Sequence, residues 1–494
     1  MLTARSPRAH RRTQPGSHRR RLSLALSGPG ALLLAGAIYL LAGSGGHPRR
    51  HHPRSPANEK VPANHSSFSS PVTLSACSGP TRPQVLFPQE TPFRRTGTGA
   101  IVLQGATSCP PGAAPTVAAV DSQDVPAQPR PVPAVPQDAT LALGQPLAAA
   151  ATAKGQIVLV AASDRSPSSA PDRQALLSEG AAGGPFSEAQ HLPGLGGAVG
   201  VATAYRGDVV IASREGGGGG GIQLRMQGYA QDRFAQPVAL GGGGSAQRVL
   251  AAALDYRTDA MVVWSQDGWL YARERHANGP LGRLQRFAKA PANVQLTMLI
   301  SDDGRAIVAW LDPGAHGASL YLDISAPGMK LGPGRLVERL RWGGRELPAN
   351  AAVRLVRLST ESVLMAWTGT VAGHFVVRAA GLDLQGLRTT VTISPHGQDA
   401  LLQDLATGPR GDAVALWSAY RPSGERPTRR ARIFAAWGVP SSRGNPRFGP
   451  PTLLAPANTS SDASVAIDPR SDRALASWRE ANGEIRYAVG HATR

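Results

Sequence analysis

From about residue 132 onward, short apolar runs alternate with clusters of Gly, Asp, Ser and Arg. Examples are VLAAALD at 249–255, SLYLDIS at 319–325 and IRYAVG at 485–490. Such runs, a handful of residues long and bounded by turn formers, predict β-strands rather than helices. One run recurs almost verbatim. SDDGRAIVAW ends at Trp310, DYRTDAMVVW at Trp264, GPRGDAVALW at Trp417 and PRSDRALASW at Trp478. In each, an alanine stands four residues before the tryptophan: Ala306, Ala260, Ala413 and Ala474.

Aligning on the tryptophan exposes a repeat. STESVLMAW ends at Trp367, with Val363 in the alanine place, and two upstream copies end at Ser213 and Ala161 instead of Trp. The units therefore fall at 161, 213, 264, 310, 367, 417 and 478, with spacings of 52, 51, 46, 57, 50 and 61. A second anchor follows the third run of six units: Phe186, Phe234, Leu281, Leu331, Leu387 and Phe448. Each has an apolar residue six positions later, at Leu192, Leu240, Phe287, Val337, Ile393 and Leu454, which marks a fourth strand. The seventh unit lacks one. Four antiparallel strands repeated about every 50 residues describe the blades of a β-propeller. The sequence thus predicts an all-β, seven-bladed propeller over 132–494. Its last blade is expected to borrow a strand from 132–143, where Val135 and Leu141 repeat the six-residue spacing. A closed ring also leaves no bare sheet face at either end.

In that reading the tryptophan fills space between blades, and the Asp and Gly residues build hairpins. The region resembles a seven-bladed β-propeller repeat protein of the bacterial cell envelope in architecture, without the signature of a named family. The Gly-His and Trp-Asp pairs of WD40 repeats and the paired glycines of kelch repeats are absent. Ser301-Asp302-Asp303-Gly304 opens like a sialidase Asp box, but Trp310 stands six residues after the glycine and the Thr is missing. No catalytic residue is carried over. No G-x-S-x-G elbow, HExxH or phosphate loop occurs, and no calcium loop, so no cofactor or metal is expected.

Candidate binding residues follow from the expected topology. Loops joining second to third strands, and fourth strands to the next blade, share one mouth of the channel. They carry Asp267, Trp269, Asp312, His316, Trp342, Glu346, His396, Glu425, Arg426 and Glu480. Among them the carboxylates Asp267, Asp312, Glu425 and Glu480 are the candidates for glycosidase-like acid–base work, which needs two carboxyl groups facing each other.

The N-terminal part differs in kind. Residues 1–21 hold seven Arg and no acid, and form a basic tail. Leu22 to Ala42 is uncharged and long enough to span a bilayer, which predicts a signal-anchor or signal peptide. The basic flank should remain cytoplasmic, placing the propeller outside the cytoplasm, membrane-anchored or secreted. Residues 43–75, rich in Gly, Pro, His and Ser, read as a disordered linker, and 76–131 as a Pro-rich module in which Cys77 and Cys109 form a disulfide. The formal charge of +19 is concentrated at this end, with +10 in residues 1–60. That distribution, without a basic stripe on the repeats, argues against nucleic acid as a partner. The expected function is that of a monomeric envelope binding or scaffolding module for a protein or an anionic glycan or cell-wall polymer. The alternatives are a carbohydrate-active propeller hydrolase or lyase, and a receptor-like sensor or assembly subunit.

Overall fold

The computed structural model describes residues from Ser67 to Ala492, broken at 76–82, 88–97, 104–114, 134–142, 164–174, 342–350, 421–430, 442–446 and several shorter gaps. The basic tail, the predicted membrane segment 22–42, most of the linker, and both Cys77 and Cys109 lie outside the described residues. Among the described residues there is no α-helix, and no helix long and apolar enough to cross a membrane.

The fold is an all-β propeller of four-stranded antiparallel blades, and it has eight of them rather than the seven expected from the repeat. The additional blade, here blade 1, comes from the Pro-rich segment. Gln84–Leu86, Gly99–Leu103, Thr116–Val120 and Arg130–Pro131 pair in that order. Blade 2 begins with the strand Leu143–Ala151, blade 3 with Gly196–Thr203 and blade 4 with Arg248–Leu254. Blades 5, 6 and 7 begin with Gln295–Ile300, Val353–Arg357 and Asp399–Thr407. A sixteen-residue strand, Thr452–Ile467, finishes blade 7 at its start and begins blade 8 at its end. The first strands touch one another in sequence around the channel, and the last of them touches the first strand of blade 1, so the ring is closed.

The period-2 pattern explains how the blades pack. In the second strand of blade 5, Ala306, Val308 and Trp310 lie in a core shared with blade 4. The alternate residues, Ile307, Ala309 and Leu311, lie in a core shared with blade 6. Both faces are buried, so the strand is apolar throughout. Trp264, Trp367, Trp417 and Trp478 likewise enter the core shared with the preceding blade. All five rings are essentially solvent-free. The rings sit beside a partner on the third strand: Trp310 stacks on Tyr321 at 5.4 Å, Trp264 on Tyr271 at 5.9 Å and Trp417 on Phe434 at 6.0 Å. Eight such cores, one for each pair of neighbouring blades, make up the interior.

The missing outer strand of blade 8 is supplied by the N-terminal side, but not by 132–143. Ser67–Phe68 and Val72–Ser75 pair antiparallel with Ile485–His491. Phe68 lies flat over Gly490, where a Cβ would meet the ring at 2.7 Å, just as Phe186 lies over Gly180 in blade 2. Residues 67–75, read from composition as the end of the linker, thus form the fastening strand. A polar latch joins the same two blades. Arg473, 4% exposed, donates from Nε to Asp124 Oδ1 at 2.7 Å and from Nη2 to the Asp121 carbonyl.

Trp310→Ala is expected to cost about 3–5 kcal/mol, the usual range for emptying a buried tryptophan site. Gly334→Ala should also destabilise, by about 1–3 kcal/mol. Gly334 has φ +78°, and a Cβ there would meet the Trp310 ring at 2.2 Å. Urea unfolding monitored by tryptophan fluorescence measures both. If both midpoints match the wild type, the interblade role of Trp310 is wrong.

Candidate functional site

The eight first strands converge at their C-terminal ends on a cavity of about 930 Å³ in the channel, at the mouth formed by the turns from first to second strands. Every blade contributes to its wall: Val85, Ala149, Val201, Leu254, Asp302, Val356, Ala406 and Val465, in blade order. Small and β-branched side chains dominate because the strands stand close together around the axis and bury both faces. The polar rim includes Tyr256, Asp302, Arg357, Ser359, Thr407 and Arg470.

Most polar side chains on the inner strands join one blade to the next. Gln84 accepts from the Ala149 amide at 3.1 Å, and Thr203 donates to the Ala151 carbonyl at 2.8 Å. Arg357 pairs with Asp302 and also donates to the Ile300 carbonyl at 2.7 Å, buckling blade 6 to blade 5. Thr407 donates to the Arg357 carbonyl at 2.6 Å. Asp404 accepts from the Val465 amide at 3.0 Å, and Ser464 accepts from the Val85 amide at 3.2 Å. These bonds cross between strands that have no ladder to each other, so they hold the cavity wall in shape.

Two carboxylates reach the cavity, from neighbouring blades. Asp302 is neutralised by Arg357. Asp255 is 1% exposed, and its Oδ1 accepts from the amides of Arg257 and Asp259, both at 2.8 Å. This is turn chemistry, repeated at Asp121 and Asp468. Burial pushes the Asp255 carboxyl above the usual range. One carboxylate is thus committed to an arginine and the other to a hairpin, unlike the exposed facing pair of a glycosidase.

The residues singled out in the sequence lie at the other mouth or outside the described residues. None of those described lines the cavity. Asp267 is exposed in a tight turn at φ 49°. Trp269 is covered by Arg286, 4.4 Å from its ring, and by Lys289 at 5.4 Å. Glu480 accepts from Trp478 Nε1 at 3.1 Å and faces Arg486 at 3.7 Å. His396 is exposed. Asp312 stands on the extended second strand of blade 5, Ala306–Gly314, and burial raises its pKa. His316, Trp342, Glu346, Glu425 and Arg426 lie outside the described residues.

No protein-family model matches the chain, and no curated protein matches it. Among solved structures it is similar to an ulvan lyase of polysaccharide lyase family PL25 bound to -[GlcA(1-4)Rha3S]-. That match has a TM-score of 0.46 and 11% identity, and covers 84% of this chain and 95% of the other. It is also similar to a Lactobacillus plantarum protein, with a TM-score of 0.35 and 14% identity over 68% of this chain and 96% of the other. A third similar structure is a protein of unknown function from Dyadobacter fermentans, at 0.37 and 10% over 70% of this chain and 94% of the other.

The raised pKa of Asp312 has a definite sign. A carboxyl whose folded pKa lies above its unfolded value favours folding when protonated, and that contribution is lost as pH rises from the unfolded pKa through the folded one. Asp312→Asn is therefore expected to raise the thermal midpoint at pH 7, with the difference shrinking towards pH 3. Calorimetric scans across that range would contradict the burial effect if the variant were less stable at pH 7.

Proposed function

We propose that the chain is an envelope binding module whose propeller takes an anionic glycan or cell-wall polymer into the channel mouth formed by the first-to-second-strand turns. The observation that carries this reading is the cavity itself, about 930 Å³ with a wall from all eight blades. That volume lies within the range of small-ligand sites, and an apolar wall with few polar groups at the rim is their usual make-up. Arg470 at the rim suits an anionic ligand, as does the charge of +9 that remains to residues 61–494. Binding is favoured over hydrolysis because Asp302 and Asp255 are both engaged in holding the structure.

The uncharged segment 22–42, preceded by the basic tail, supports export and anchoring, with the propeller outside the cytoplasm. In that arrangement the module would hold envelope polymer near the membrane. Cys77 and Cys109 are proposed to pair in that compartment.

The test is calorimetric titration of the full chain with uronate-containing and neutral oligosaccharides, alongside the plugged variants Ser359→Trp and Pro409→Trp. Both positions line the cavity. The expected result is binding of the acidic series, weakened at least tenfold by either substitution at unchanged thermal midpoint. Equal binding by wild type and plugged variants would place the ligand elsewhere. Accumulation of an unsaturated uronate absorbing in the ultraviolet would replace the binding reading with a lyase.

A further inference from the structure

We propose that Asp259, Glu274 and His276 of blade 4 form a binding site for a divalent transition-metal ion such as Zn²⁺. Asp259 precedes the second strand, Ala260–Gln266; Glu274 lies near the end of the third, Trp269–Arg275; His276 follows it. Hairpin geometry brings the three to the same edge of the sheet. One donor atom from each lies within 4.8 Å of the others. His276 Nδ1 is 3.4 Å from Asp259 Oδ2 and 3.9 Å from Glu274 Oε1.

Those separations are long for charge-assisted hydrogen bonds, which run about 2.7–2.9 Å. They suit donors that share a metal. Bonds of about 2.0–2.1 Å in a tetrahedron put neighbouring donors roughly 3.3 Å apart. Two carboxylates and an imidazole are a borderline donor set suited to zinc or its neighbours rather than to calcium, and they leave room for exogenous ligands.

A second, independent feature points the same way. Asp255, at the other end of the same turn, is 1% exposed, and its Oδ2 has no hydrogen-bond partner among the described residues. The Asp255 amide donates to the Asp259 carbonyl at 3.0 Å, which holds this carboxylate at the Asp259 end of the site. The nearby Arg257 guanidinium is turned to the Tyr256 hydroxyl, with Nε at 2.8 Å. Asp259 and Glu274 thus share one imidazole, and a divalent cation there would offset their mutual repulsion. The plain alternative is a half-buried histidine–carboxylate ion pair that needs no metal.

The inference does not depend on what the cavity binds.

The test titrates the full chain with Zn²⁺, and with Co²⁺ for its visible spectrum, against Glu274→Gln and His276→Ala. His47, His51, His52 and His65 of the N-terminal segment also offer imidazoles, so the comparison between variants is decisive rather than total uptake. The expected result is one tight site, with a tetrahedral cobalt band, whose affinity falls at least tenfold in each variant while circular dichroism is unchanged. Zinc should also raise the thermal midpoint of the wild type but not of Glu274→Gln. Unchanged stoichiometry, spectrum and midpoint shift in both variants would overturn the site, as would absence of binding to the wild type. If His276→Ala fails to fold, Glu274→Gln, nearly isosteric and retaining hydrogen bonding, decides alone.

Discussion

Everything in this molecule depends on blades that are apolar on both faces being packed into a ring. A strand such as Ala306–Gly314 sends alternate residues into two different cores, one shared with each neighbouring blade. No single blade can bury its own surface, so each is stable only between two others. Removing any one interface would leave two sheet faces in water. The demand is met at the seam between blades 8 and 1 by Leu475, Tyr487 and Val489 packed on Val85, Ile101 and Leu103. The Arg473–Asp124 pair closes the same seam in polar terms. The outer strand from 67–75 then covers the last open edge.

The blade repeat was legible in the sequence wherever a large residue marked it. Trp264, Trp310, Trp367, Trp417 and Trp478 each fill the gap to the preceding blade, so their register is fixed by volume. Blade 1 escaped because Leu103, four residues after Gly99, stands where the tryptophan would be in the core with the preceding blade. Its outer strand is also rich in proline, which reads as linker. Yet the six-residue anchor was present. Pro126 bridges Val120, and six residues later Val132 is buried in the core between blades 1 and 2. The fastening strand carries the same signature. Phe68 covers Gly490, and Leu74, six residues on, packs into the core between blades 8 and 1. Composition around 44–75 concealed it: three apolar residues, Phe68, Val72 and Leu74, among Ser and Pro suffice for an edge strand whose backbone is held by the neighbouring ladder.

The candidate site was much less legible, for a physical reason. The sequence points to carboxylates, imidazoles and indoles in the longer loops. Those loops gather at one mouth, while the cavity opens at the other, where tight hairpins turn. Its wall is made of Ala, Val and Leu from eight strands far apart in sequence. None of these residues carries chemistry alone; they define a site only through convergence around the axis. The polar residues nearest it, Asp255 and Asp302, look in sequence like ordinary turn formers, and both do serve turns or interblade pairing.

Blade number and cavity are two aspects of one constraint. Each blade places one inner strand against the channel, and the width of the channel grows with the number of strands around it. In this chain the inner strands are also lined with small residues, Ala149 to Ala151 in blade 2 and Ala202 and Ala204 in blade 3, which leave the axis unfilled. Larger side chains in those places would pack the centre and add apolar burial, so the open channel forgoes stability that the sequence had the means to acquire. The interblade hydrogen bonds of Gln84, Thr203, Arg357, Thr407, Asp404 and Ser464 give the hollow a fixed outline despite the missing core. A hollow walled by every blade and braced by these polar side chains keeps its outline without a packed centre.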